Sequence, residues 1–311
     1  MRLNRSTSCW ILILSTFLGS LVRAEDIYVN NVTGDDLNDG TSATGGGKRV
    51  GPFRTIQHAI RKSGPGDRII LGKNDEPYRE SITIESDRRS GFPDRPFEIV
   101  GNGAVLDGSQ QVPADAWRHV RDNVFRFRPR GKSHHVLFLD GKPLSRVHVE
   151  PQLKAPPALD ELQWCLFAGH VYFCVKAGDI PQSYDLSHSV LPVGLTLYRV
   201  RHVRISNVIF QGYLLDGVNA HDGVSHTELL QLTCRGNGRS GISVGGASKV
   251  LVNACLIGDN GTAQLRVEGV SHTRLINSDL IDDDHAPEVE RNGGEVVRSE
   301  SVAEAPRIGA R

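Results

Sequence analysis

Apolar residues in this chain come in short bursts that alternate with polar positions and break at glycine, asparagine or aspartate. The pattern is clearest in the second half. ISNVIF from Ile205, LLQLTC from Leu229, VNACLI from Val252 and INSDLI from Ile276 align at offsets of 24, 23 and 24 residues. The same offsets align Val218, Ile242, Leu265 and Val289, and they set Asn237 of CRGNG over Asn260 of IGDNG. One register that aligns two separate apolar strands in four copies marks a solenoid, whose turns bury side chains only against the turns above and below. Period-two bursts joined by Gly and Asn turns predict strands, not helical or leucine-rich repeats. Coils stacked about 4.8 Å apart form parallel strands and inward ladders. The expectation is an all-β fold, a right-handed parallel β-helix. One ladder holds Ile205, Leu229, Val252 and Ile276; another holds Val218, Ile242, Leu265 and Val289.

An open solenoid end exposes unpaired strand edges and needs a cap. DIYVN reads as a strand, and PFRTIQHAIRKS as an amphipathic helix with Phe53, Ile56 and Ile60 on one face, a fitting N-terminal cap. GDRIILG, SITIES and PFEIVGNGAVLDGS read as the first coils. Residues 111–194 interrupt the repeat with aromatic-rich strands and hairpins, a small inserted β-subdomain. In the last copy Arg291 follows Val267, so the solenoid is expected to end near residue 292 and residues 293–311 to form a mobile tail. Residues 1–24 combine a basic start, the apolar run CWILILSTFLGSLV and a Val22-x-Ala24 ending. That is the pattern of a cleaved secretory signal, which predicts a secreted or periplasmic protein with no membrane span afterwards. The organisation is thus a signal (1–24), cap and first coils (25–110), insert (111–194), coils (195–292) and tail.

The stretch GPFRTIQHAIRKSGPGDRIILGKNDEPYRESITI, continued by SGFPDRPFEIVGNGAVLDGS, is similar to the start of exported bacterial right-handed β-helix proteins of the pectate-lyase-like and alginate-lyase-like superfamily. Periplasmic copper-maturation-like members share it. The resemblance covers residues 26–110 and 195–292. It implies the scaffold, a small β-insert on its flank and polysaccharide as the partner, more than it implies one activity.

Composition changes this picture little. Lys+Arg and Asp+Glu are 36 each, so the formal net charge is zero, which gives no electrostatic reason for a nucleic-acid partner. No feature of the sequence fixes an oligomeric state. Export would place the four later cysteines in an oxidising compartment. In WCLFAGHVYFCV, a Gly169-His170 turn would set Cys165 opposite Cys174, either as a disulfide or as two neighbouring thiols. Cys234 aligns with Ile257 and Cys255 with Leu232, which reads as core packing. Asn31 and Asn260 match the glycosylation pattern and read as turn residues.

The chemistry is less legible. A lyase on this scaffold needs a base and a cation, Ca²⁺ or Arg, to neutralise a uronic carboxylate. A hydrolase needs two spaced carboxylic acids. The best-known signatures of both activities on this fold are missing. AHDGVSH offers His221 as a base with Asp222 beside it, although Asp-Gly is also ordinary turn chemistry. Arg235, Arg239 and Lys249 could meet a carboxylate, with Arg235 the leading catalytic candidate. Asp222 and Asp259 are candidates to bind sugar. Asp282, Asp283 and Asp284 could hold Ca²⁺ or simply charge the solenoid terminus. In GKSHH, one of His134 and His135 should point in and one out, which argues against a metal pair. Asp222, Arg235 and Asp259 are expected on one coil face near the insert. The function expected is action on a polysaccharide, as an acidic-glycan lyase or as a non-catalytic glycan-binding module. A maturation factor would need metal-rich His or Met clusters that are lacking.

Overall fold

The computed structural model describes residues 24–281 and 285–299. The chain forms a right-handed parallel β-helix whose coils each contribute strands to three faces. The first face runs from Asp26–Val29 and Arg68–Leu71 through Ser225–Leu230 and Lys249–Asn253. The second carries Thr233–Arg235, Leu256–Gly258 and Asp279–Leu280, and the third Ile82–Glu85, Leu195–Tyr198, Asp216–His221 and Ser240–Val244. The long strands Phe97–Asp107 and Arg201–Gln211 bend from the first face to the second, and Ala263–Ile276 and Val289–Ser299 bend from the third to the first.

The corners depend on single residues in the left-handed region. Asn102, Asn207, Gln231, Ala254 and Asn277 turn the chain from the first face to the second, with φ between 46° and 54°. Gly212, Gly236 and Asp259 make the next corner, and Arg199, Asp222, Gly246, Gly269 and Gly293 the third. Asn, Asp and Gly tolerate this conformation best, which is why the apolar bursts stop at those residue types.

Between corners, strand alternation puts one side chain in two on the axis. On the first face, Ile27, Ile69, Ile99, Ile205, Leu229, Val252 and Leu275 pair in sequence, all buried. The third-face ladder continues Ile82 and Leu195 into Val218, Ile242, Leu265 and Val289, as expected. The second-face ladder is Tyr78, Leu106, Phe210, Cys234, Ile257 and Leu280. Each such side chain contributes about 1.5–3 kcal/mol before chain entropy is subtracted. Outside, the first face alternates in sign. Arg68 pairs with Asp26 at 2.8 Å, and Arg204 spans Glu98 at 3.0 Å and Glu228 at 2.9 Å.

Three expectations need correction. Leu275, not Ile276, stacks on Val252, while Ile276 pairs with Asn253. Two adjacent apolar residues leave the alternation ambiguous, and the Lys249–His272 pairing fixes the register. The 162–174 hairpin turns at Ala168-Gly169, both with positive φ, instead of Gly169-His170. Cys165 therefore pairs with Tyr172, and Cys174 lies across from Gln163. The two cysteines are buried free thiols, diagonal on the ladder, where spacing exceeds disulfide reach. Finally, residues 293–299 are not tail: Val289–Ser299 completes a last coil against Ala263–Ile276.

Both ends are closed. The helix Ile56–Lys62 packs Ile56, Ala59 and Ile60 into the first coils, with Phe53 beside them. Its first free amides, Ile56 and Gln57, donate to the Glu80 carboxylate at 2.8 and 3.0 Å. At the other end Arg291 and Arg298 occupy the inward register, beneath Val267 and Leu275, and Arg298 pairs with Glu288. Inward-pointing charge is a known device against edge-to-edge pairing.

The insert leaves the solenoid at Ser109 and rejoins it at Leu195. It holds two four-stranded antiparallel sheets around a second core that includes Trp117, Phe127, Leu137, Trp164, Phe173 and Leu186. His188, on the strand joining insert to solenoid, is buried against Phe127, its ring 5.1 Å away. Burial, and then the neighbouring His135, push its pKa down to about 4.

Two outcomes follow. Replacing Arg291 with Val and Arg298 with Leu restores an apolar terminal rung, and light scattering should show concentration-dependent association beyond that of the wild type. Equal masses at every concentration would refute the capping role. The second concerns pH. The unfolded His188 imidazole takes up its proton near 6.5, the folded one only near 4. Stability is therefore full above about pH 6.5, declines as pH falls toward 4, and loses about 3 kcal/mol over that window. Denaturant titrations of His188→Phe should show a shallower decline than the wild type. An unchanged slope would rule His188 out as its source.

Candidate functional site

The insert docks on the corners between the second and third faces, and the local sequence makes that contact close. Gly236 is left-handed (φ 61°), and a Cβ there would lie 2.9 Å from Pro143 Cγ and 3.0 Å from Phe138 Cε1. At Gly238 a Cβ would strike the His134 carbonyl oxygen. The corners themselves are held by buried asparagines. Asn260 Oδ1 accepts from the backbone and side-chain nitrogens of Asn237, both at 3.0 Å, and Asn260 Nδ2 donates to the Cys234 and Gly258 carbonyls. Buried amides so satisfied stiffen the corner instead of destabilising it.

Beyond the contact a cleft of ≈ 690 Å³ opens between solenoid and insert. Arg235, Asp259 and Asn260 form its solenoid wall; Lys142, Arg146 and His148 form the insert wall, over Trp164. Arg146 sits above the Trp164 ring, its guanidinium carbon 5.2 Å from the centroid. Trp164 is fixed in turn by its indole N–H, which donates to the Leu144 carbonyl at 3.0 Å. Arg146 Nε is buried without a hydrogen-bond partner, and among the described residues no carboxylate pairs with the guanidinium. Burial lowers its pKa from the usual arginine value. A half-buried cation without a counter-charge among the described residues favours an anion in the cleft.

Arg235 is aimed by a relay. Asp107 accepts from the Ser109 amide at 2.7 Å and from Gln211 Nε2 at 3.1 Å, and Gln211 Oε1 accepts from Arg235 Nε at 3.1 Å. That fixes the Gln211 amide and leaves the terminal nitrogens of Arg235 for the cleft. The His148 and His285 rings meet where insert and last corner come together, their centroids 3.9 Å apart and their planes tilted by 34°.

The structure brings together two of the three residues expected to share a face. Arg235 and Asp259 line the cleft. His221 and Asp222 lie at the opposite corner, between the third and first faces, with His221 Nδ1 3.4 Å from Asp222 and its ring 5.1 Å from Tyr198. The reason is in the register. Arg235 and Asp259 are one coil apart, whereas Asp222 and Arg235 are only 13 residues apart, so a whole face separates them. Arg239 is engaged by the buried Asp216 carboxylate at 2.9 Å, and Lys249 belongs to the outer first face. His135 points in and His134 out, as expected. Asp282, Asp283 and Asp284 lie outside the described residues, and among those described no cluster of three or more His, Cys, Asp or Glu is placed to hold a metal.

Sequence reasoning missed Arg146, His148 and Trp164, which belong to no repeat. One signal was available: Arg146 and His148 flank Val147, so a strand puts both on one side.

No family model matches this chain, and no curated protein matches it by sequence. Solved structures do resemble it. A glycoside hydrolase superposes with a TM-score of 0.60 at 13% identity, covering 82% of this chain and 73% of its own. A protein described as XylC in complex with xylose gives 0.43 at 14% identity, covering 88% and 68%. Pectate lyase Pel9A gives 0.36 at 10% identity, covering 91% and 82%. The first of these likenesses is one of fold.

Proposed function

We propose that this chain acts on an acidic polysaccharide, and that a sugar carboxylate seats between Arg146 and Arg235. The observation that carries this reading is Arg146, a half-buried guanidinium with no carboxylate partner among the described residues. A carboxylate matches the guanidinium fork in charge and shape. The His148 and His285 rings supply further surface beside it. That a protein of like fold is described as a glycoside hydrolase agrees with this reading.

Within it, lyase chemistry fits better than hydrolysis. Asp259 is the one carboxylate among the described residues lining the cleft, where it stands with two guanidinium groups, a set that suits neutralising a uronate carboxylate. In a lyase the guanidinium pair stabilises the charge that develops on the uronate. His148 or His285 takes the proton beside the carboxylate, the freed electron pair forms the double bond as the adjacent carbon–oxygen bond breaks, and the leaving oxygen takes up a proton from the imidazolium so formed or from water. His221, at the far corner, has no part in this step.

The test is a panel of uronate polymers, with binding followed by calorimetry and cleavage by the ultraviolet absorbance of unsaturated ends. A charged hydrogen bond is worth about 1.5–3 kcal/mol, so Arg146→Gln and Arg235→Gln should each weaken binding about ten- to a hundredfold. His221→Ala should leave it unchanged. Wild-type affinity in both arginine variants would refute the site. Arg146-dependent binding without any unsaturated product would identify a glycan-binding module instead of a lyase.

A further inference from the structure

The cleft is bounded at both ends along the solenoid axis. Toward the N-terminal coils the insert rests on the 236–238 corner, with Pro143 and Phe138 over Gly236 and the His134 carbonyl over Gly238. Toward the C-terminal coils the His148 ring of the insert packs against the His285 ring of the last corner. Arg235 stands in the coil of the first contact and Asp259 in the next coil, between the two contacts, and Arg146 lines the same cleft from the insert. One coil advances about 4.8 Å, so the free length along the axis is only a few such steps.

A polymer lying along the axis, the direction in which a solenoid offers repeated side chains, would have to pass through both contacts. Among the described residues, these two contacts leave the lateral side, between insert and solenoid, as the way in. The volume of ≈ 690 Å³ also falls within the range of roughly 300–1,000 Å³ that encloses one small ligand.

We infer that the cleft admits the end of an acidic oligosaccharide chain and excludes its interior, an inference that rests on the acidic-sugar reading above. The terminal sugar enters from the side and brings its carboxylate to Arg146 and Arg235. The next unit lies in the mouth, and the rest of the chain extends into solvent. The ring pair His148 and His285 acts as an end wall and so as a specificity determinant.

Polygalacturonate, polymannuronate and polyguluronate, each as long polymer and as trimer to hexamer, are the probes. Protein bound per chain is measured by calorimetry and sedimentation for the wild type, Arg146→Gln and His285→Ala. End recognition predicts that affinity changes by less than about twofold from trimer to hexamer. It also predicts that protein bound to polymer scales with the number of chain ends, and that His285→Ala raises the amount bound per chain. If the polymer is cleaved, one short product length should dominate from the earliest time. Wild-type binding in proportion to polymer length, or an early spread of product lengths, would overturn the inference while leaving the acidic-sugar reading intact. Binding at every length that is indifferent to Arg146→Gln would overturn that reading, and the inference with it.

Discussion

Each coil of this solenoid can bury its apolar side chains only against the equivalent side chains of the coils above and below. Everything else in the structure answers to that constraint. Equivalent positions must stay in register, so ladders such as Ile205, Leu229, Val252 and Leu275 are continuous. The corners must take the same path in every coil, so left-handed residues recur at each. Among the described residues the two end coils have a neighbour on one side only and are closed by different means, a helix with an apolar face at one and inward arginines at the other.

The same constraint decides where the insert can sit. Stacked corners present a regular surface, and glycines at 236 and 238 let another backbone approach it closely. The buried Asn237–Asn260 pair keeps that surface rigid without apolar packing. The cleft is then a by-product of fit. The insert matches one corner and the last corner, and the gap between them collects Arg146, Arg235 and Asp259.

Electrostatics separates this gap from the rest of the surface. On the first face Arg68 and Arg204 are each matched by carboxylates on neighbouring strands. Arg239 is matched by buried Asp216. Arg146 is the contrast, placed over an indole with its Nε shielded from water. Arg235 is held by an amide, not by a carboxylate, and keeps its charge available.

The β-helix, its capping helix and most of its register were legible in the sequence, because a coil of nearly constant length imposes a period that composition cannot hide. The period also linked Arg235 to Asp259. It separated Asp222 from them just as clearly, since 13 residues is about half a coil. Where two apolar residues adjoin, as at Leu275 and Ile276, alternation could not choose, and backbone pairing did. The hairpin that separates Cys165 from Cys174 was decided by turn geometry at Ala168-Gly169. The insert has no period, so the placement of Arg146, His148 and Trp164 against the coils was settled only in the tertiary structure. Their chemistry depends on which surfaces meet, and docking is set by contacts between residues far apart in the chain.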